Sequence, residues 1–317
     1  MFDLITIGRC GVDIYPLQTG VGLGRVESFG KFLGGSPTNV AVAAARHGLS
    51  VAVVTAVGAD PFGTWVREAI RGFGVTDSFV GTVDGPPTPV TFCEIFPPDD
   101  FPIYFYRGEH PPDLRLTAES LDLAAIGEAK VFWFTGTGLS QEPSRSAHAA
   151  ALAARTSGWT VFDLDYRPTL WDSPESARRA VRRALPHANV AVGNLDEVEI
   201  AVGVRDPEKA AQALLDAGME VAIVKMGPDG VLARGKDEHV VVRPVPVEVV
   251  NGLGAGDAFG GAVALGLVSG WSLERTVRFA NAAGAHVAAR LACADAMPST
   301  DEVLALLPGD GTSEVRP

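Results

Sequence analysis

The sequence has no paired cysteines, no surplus of basic residues, no metal-ligand spacing among its histidines and no long apolar run, and each absence narrows what it can do. Cysteine occurs three times, at Cys10, Cys93 and Cys293, far apart and without a CxxC pair. A disulfide framework or zinc site is therefore unsupported, and a reducing cytoplasm fits best. Lysine and arginine number 26 against 38 acidic residues, a formal net charge of −12. That balance argues against nucleic acid or an anionic membrane as partner. An anionic ligand would then need a local cluster of positive charge. No apolar stretch approaches the roughly 20 residues of a membrane span. The opening MFDLITIGRC lacks a basic n-region and enters a strand-like run at once, unlike a signal peptide. The six histidines are expected mostly at the surface or at helix ends. No intact GxGxxG follows the first strand, so a dinucleotide site has no support. Gly230–Asp237 nearly matches a P-loop, but Asp237 stands where Ser or Thr must hold magnesium, and a hairpin turn is expected there.

What is present is a core-forming α/β pattern. The 317 residues are 47% hydrophobic, enough for one large domain with a small accessory piece. Phe2–Gly8 reads as a buried first strand, and Val51–Val57 as a parallel strand covered on both faces. Between them, Ser36 is expected to cap a helix with Pro37 in its first turn and Gly48 closing it. Pro61–Phe73 is amphipathic and helical. The segments TPVTFCEIF and FPIYFYR alternate aromatic and β-branched residues around PPDD, as an antiparallel hairpin would. Strands at Val131–Phe134, Thr160–Leu164, Asn189–Val192 and Glu220–Lys225 alternate with helices, a βαβ rhythm that implies a mostly parallel sheet. Val231–Arg234 and His239–Arg243 suggest a late hairpin, and helices follow at about 255–268 and 273–290. The last residues, 308–317, read as a tail.

Two glycine-rich stretches can carry chemistry. In Gly252-Leu253-Gly254-Ala255-Gly256-Asp257-Ala258-Phe259 a small-residue turn opens directly onto an apolar helix. Such a turn lets backbone N–H groups approach a phosphate, with the helix dipole adding partial positive charge. Asp257, in the first turn, could accept the proton of an attacking hydroxyl; the same pattern also suits a tight turn whose aspartate serves only the dipole. The second stretch is Gly34-Gly35-Ser36-Pro37-Thr38-Asn39. Its glycines leave room for a ligand and Asn39 could reach a sugar hydroxyl, although an ordinary helix start would look the same.

Together, in this order and at this separation, the double glycine with asparagine and the late GAGDAF resemble the two signatures of the ribokinase-like (PfkB) carbohydrate kinases. Asp13 after the first strand, Asn194-Leu195-Asp196-Glu197 in place of the family's N-x-x-E, and Lys225-Met226-Gly227-Pro228-Asp229-Gly230 extend the likeness over nearly the whole chain. The resemblance implies a three-layer α/β sandwich with a mostly parallel central sheet and a small β-sheet lid, drawn from about 13–33 and 84–110. It implies ATP-dependent phosphoryl transfer to a hydroxyl. Asp257 would be the catalytic base, and the Gly254, Ala255 and Gly256 amides an anion hole. Asn194 and Glu197 would organise Mg²⁺ through its waters. Asn194, Lys225, Gly227, Gly230 and Asn281 would attend the nucleotide, and Asp13, Gly34, Gly35 and Asn39 the acceptor hydroxyls. The lid would close to exclude water, and its aromatic faces make a homodimer through the lid plausible. Asn251 departs from the Asp found in many members, which should weaken a nearby monovalent-cation site.

Two arginines narrow the acceptor. Phe105-Tyr106-Arg107 ends the lid hairpin, and Asp163-Leu164-Asp165-Tyr166-Arg167 follows a core strand at its C-terminal end, where ligands of open α/β sheets gather. Arginine can grip a carboxylate with two parallel hydrogen bonds, which a neutral sugar does not need; either residue could equally serve a surface ion pair. The D-x-D-x-R-x-x-L-W run through Trp171 resembles the family's sugar-acid kinases, so Arg107 and Arg167 are expected to bind a sugar acid. A sugar-acid sensor that kept the fold and lost catalysis is the alternative from another class.

Overall fold

The computed structural model describes residues 1–307; the expected tail at 308–317 lies outside them. A nine-stranded sheet forms the centre. Its strands are β1 (Leu4–Ile7), β4 (Val51–Gly58), β5 (Val80–Val83), β8 (Val131–Thr135), β9 (Trp159–Asp163), β10 (Val190–Asn194), β11 (Val221–Lys225), β12 (Val231–Gly235) and β13 (His239–Val242). The spatial order is β13-β12-β11-β10-β9-β8-β1-β4-β5. All pairings from β11 through to β5 are parallel, and β12 and β13 add an antiparallel hairpin at one edge. Every residue of β4 and of β8 is buried, as continuous apolar runs require when helices cover both faces.

Alternation along the strands divides the core in two. Leu4, Val53 and Trp133 face one layer, packed with α1 (Ser36–Arg46), α2 (Pro61–Gly72), α8 (Ala255–Ser269) and α9 (Leu273–Ala288). Ile5, Val54, Phe132 and Phe134 face the other, packed with α3 (Leu123–Glu128), α4 (Ser144–Ala153), α5 (Pro174–Ala184), α6 (Leu195–Val202) and α7 (Pro207–Asp216). The close approach of α8 depends on small residues: a Cβ on Gly260 would press on the Trp133 ring at 2.9 Å. No helix among the described residues is long and apolar enough to cross a membrane.

A separate four-stranded sheet has the order β3-β2-β6-β7, from β2 (Gly11–Pro16), β3 (Phe29–Gly34), β6 (Val90–Cys93) and β7 (Ile103–Tyr106). It contains the hairpin read from alternation, β6 antiparallel to β7. The chain leaves the main sheet after β1 at Gly8, whose φ of 138° suits glycine, and enters β2 within a few residues.

Three local readings change. The N-cap of α1 is Gly35, and Ser36 makes no capping bond; its hydroxyl is committed elsewhere, as described below. His148 is fully buried inside α4 instead of lying at a surface or helix end. Strand β5 and the short helices α3 and α10 (Thr300–Leu304) were not read from the sequence; each spans too few residues to show a clear period.

Candidate active site

The C-terminal ends of β1, β8, β9, β10 and β11 point toward the N-terminus of α8 and the inner face of the small sheet. Between them lies a cavity of about 430 Å³. The chain order reverses around β1, with β4 on one side and β8 on the other, and such switch points are where open α/β sheets bind ligands.

The turn before α8 is fixed by two demands on one residue. Gly254 has φ 83° and forms the N-cap, and a Cβ there would stand 2.6 Å from the Cys293 sulfur. Only glycine meets both. The free N–H groups of the first helical turn are thereby presented to the cavity. Asp257 sits in that turn, and its carboxylate accepts hydrogen bonds from the Ser36 hydroxyl (2.7 Å) and from Asn39 Nδ2 (2.9 Å). Both donors come from the start of α1, so the two glycine-rich stretches meet here. Burial raises the Asp257 pKa above the usual carboxylate range, against the opposing effect of those two donors.

Asp13 faces the same space from β2. Burial pushes its carboxyl up to about 6, against the pull of the Tyr15 hydroxyl and the Arg9 guanidinium; Tyr15 donates at 2.9 Å. The role of Gly34 is then steric, because a Cβ there would overlap the Asp13 carboxylate, and one on Gly35 would overlap the Arg9 carbonyl. At the other end of the cavity, Asn194 caps α6 by accepting from the Asp196 and Glu197 N–H groups, while Glu197 accepts from the Asn194 N–H at 2.6 Å. The N-x-x-E string is thus a capping box whose side chains line the cavity. Lys225 lies beside them. Burial would lower its pKa, but Glu197, Asp163 and Asp257 outweigh that and raise it.

Arginines form another part of the cavity wall. Arg167 Nε donates to Asp165 Oδ1 at 2.9 Å. Arg107 Nη2 donates to Asp113 Oδ2 at 2.7 Å, a pair buried on both sides. Burial alone would raise the Asp165 pKa, but the Arg9 and Arg167 guanidiniums hold it well below the usual range. Asp163 is shifted upward by burial, with Lys225 opposing.

Of the residues singled out in sequence, Gly254, Gly256, Asp257, Asp13, Gly35, Asn39, Arg107, Arg167, Asn194, Glu197, Lys225 and Gly227 line this one cavity. Gly34, Ala255, Gly230 and Asn281 do not. Gly230 (φ 94°) makes the turn into β12, where a Cβ would overlap the Val242 carbonyl, and Asn281 donates to the Arg243 carbonyl at 2.7 Å. Asn251, fully buried, donates to the Leu291 carbonyl and accepts from the Leu253 N–H, so an amide orders the turn that an aspartate could only half satisfy. Sequence reading missed Arg9 and Tyr15, with Thr137 bonded behind Arg9 and Asp165, as well as the convergence of Cys10, Cys93 and Cys293 on the same cavity. A larger depression of about 680 Å³ outside β7 shares Arg107 but contains none of the groups at the α8 turn.

A helix N-terminus headed by a buried aspartate, at a cleft lined by polar and charged side chains, fits a sugar kinase. Residues 1–300 match the pfkB family carbohydrate kinases, and the chain belongs to that family. Among its curated relatives is the 5-dehydro-2-deoxygluconokinase of Listeria monocytogenes, 34% identical over 313 residues covering 96% of each chain. That of Photobacterium profundum is 35% identical over 311 residues, 95% of this chain and 93% of the relative. A crystal structure of a fructokinase with bound ATP from Xylella fastidiosa superposes with a TM-score of 0.83 at 25% identity, covering 96% of this chain and 98% of that one.

Proposed function

We propose that this protein transfers the γ-phosphoryl group of Mg·ATP to the terminal hydroxyl of 5-dehydro-2-deoxy-D-gluconate, a step of myo-inositol catabolism, in the cytoplasm. The observation that carries the reading is Asp257, held by Ser36 and Asn39 beside the N–H groups of the α8 turn. A carboxylate raised by burial is a stronger base than one in water, and so a better acceptor for the hydroxyl proton. As the acceptor oxygen bonds to the γ-phosphorus, its proton passes to Asp257, and the bond to the β-phosphate oxygen breaks. The Gly254, Ala255 and Gly256 amides and the Lys225 ammonium supply positive charge where the transferring group gains negative charge.

The residues present fit magnesium. Asn194 and Glu197 stand together on the cavity wall, a donor set suited to an ion that retains its waters and is bound through phosphate. Glu197 uses Oε2 in the cap and can meet such waters with its other oxygen, beside Asn194. When bound, the ion neutralises phosphate charge. Asp13 and Asn39 would hold acceptor hydroxyls, and Arg107 and Arg167 its carboxylate. The four-stranded sheet would act as a lid, and its exposed Tyr104 and Tyr106 would serve a homodimer through that sheet.

The test is ADP formation from Mg·ATP with 5-dehydro-2-deoxygluconate, 2-keto-3-deoxygluconate, fructose and ribose. Preference for the first is expected. Preference for 2-keto-3-deoxygluconate would replace the substrate, and turnover of neutral sugars alone would remove the carboxylate role. No turnover at all would restore the sensor. Asp257→Asn should lower kcat by about 10²–10⁴ with acceptor binding largely retained.

A further inference from the structure

We propose that Arg9 is a specificity-determining residue of the acceptor site, gripping the anionic group of a sugar acid together with Arg167. The inference rests on the kinase reading above and names the groups that recognise its acceptor.

Arg9 follows the C-terminal end of β1, and only 7% of its side chain is exposed. Its Nε donates to Thr137 Oγ1 at 3.0 Å and its Nη2 to Asp165 Oδ2 at 2.8 Å. Nη1 makes no hydrogen bond to any described residue, and the side chain lines the cavity. Phe105, on β7 of the small sheet, lies over the guanidinium with its ring centroid 5.6 Å away. One face of the cation is therefore covered by the proposed lid while one nitrogen remains available to a ligand.

The pairing pattern separates the three arginines. Arg107 and Asp113 form a buried one-to-one pair, so their charges largely cancel. Asp165 instead serves both Arg9 and Arg167, through different oxygens. Two guanidiniums share one carboxylate, so Asp165 forms a one-to-one pair with neither, although Arg167 also feels Glu197, Asp257 and Asp163, and Arg9 feels Asp13. The neighbouring carboxylate, Asp13, is engaged by the Tyr15 hydroxyl and faces the acceptor hydroxyls. Asp165 is also the only non-glycine residue among those described with positive φ, at 24°. Strain of that kind persists where the surroundings over-determine it. Here Arg9, Arg167 and the Thr137 hydroxyl all donate to its carboxylate. A bound carboxylate would accept from the free Nη1 in a charge-assisted hydrogen bond, whereas a neutral sugar would offer that nitrogen only an ordinary acceptor.

Arg9→Met and Arg9→Lys test the assignment; in both, Arg167 and Thr137 still pair with Asp165, so no buried carboxylate is orphaned. The assay measures KM for the sugar acid and for Mg·ATP, and Ki for the acid's carboxamide as a neutral competitor. Arg9→Met is expected to raise the acid KM by about 10- to 100-fold, the loss of hydrogen bonds to a charged group. Mg·ATP KM and carboxamide Ki should move less than about threefold, since neither needs that contact, and Arg9→Lys should recover part of the loss. Unchanged acid KM in both variants, or parallel losses for acid, carboxamide and Mg·ATP, would overturn the inference while the kinase reading stands. A wild-type enzyme that turns over only neutral sugars would overturn the sugar-acid assignment along with this inference, and a wild-type enzyme with no turnover would overturn the kinase reading itself.

Discussion

Gly254→Ala strikes the turn before α8 at its tightest point. An alanine forced to φ 83° incurs the left-handed penalty of about 1–2 kcal/mol. Its Cβ would also stand 2.6 Å from the Cys293 sulfur and 2.8 Å from the Cys293 Cβ, an overpacking that costs about 1–3 kcal/mol when the neighbours must move. Together these predict a destabilisation of about 2–5 kcal/mol. With an unfolding entropy near 2.1 cal/mol/K per residue, a chain of 317 residues should lose roughly 3–8 °C in Tm. Relief of the overlap displaces the turn, so its N–H groups no longer meet the transferring phosphoryl. Loss of one such donor lowers kcat by about 10²–10³. Thermal unfolding and a coupled ADP assay measure the two effects. In the Cys293→Gly background, which has lost the Tyr15 contact already, adding Gly254→Ala should lower Tm by little more than the dihedral part. A Gly254→Ala enzyme with unchanged Tm and kcat would refute both the steric argument and the placement of the anion hole.

Other perturbations separate the remaining roles. Ser36→Ala removes a donor to the Asp257 carboxylate, so the aspartate pKa rises further. The acid limb of the kcat/KM profile should therefore shift to higher pH, with kcat down about tenfold, read from pH–rate curves. Asp13 is raised from 3.8 to about 6, so the folded state binds its proton more tightly than the unfolded chain. Its contribution is present below pH 3.8 and is lost as pH rises through 6. Asp13→Asn should thus flatten urea-denaturation stability across that window and stabilise the protein by up to about 3 kcal/mol at pH 7, while weakening acceptor binding. Arg107→Ala leaves Asp113 buried without its partner and should cost about 3–5 kcal/mol, with the paired replacement Arg107→Met/Asp113→Leu much milder in the same measurement.

The secondary structure was legible because its cause is local. Val51–Gly58 reads as a strand from its own β-branched run, and the apolar helix after Gly254 from its own small and apolar side chains. The glycine-rich stretches carried the family, since each is a contiguous string whose backbone demands are written in adjacent residues. Strand β5 escaped because its four residues show no period. Ser36 was misread for a different reason: a serine before Pro37 satisfies every local rule for a cap, yet its partner lies 221 positions away in Asp257.

Sequence alone determined the α/β layering, the family and the aspartate at the head of α8, because hydrophobic period and turn chemistry act over a few residues. Tertiary structure alone decided what surrounds that aspartate. Arg9 and Asp165 are 156 positions apart, and Tyr15 and Cys293 are 278 apart. They meet because parallel strands end on the same side of the sheet, and the small sheet folds back over that end. No local pattern encodes such a meeting. Burial and shared partners also set the charge state of each carboxylate there, and both exist only once the layers have closed.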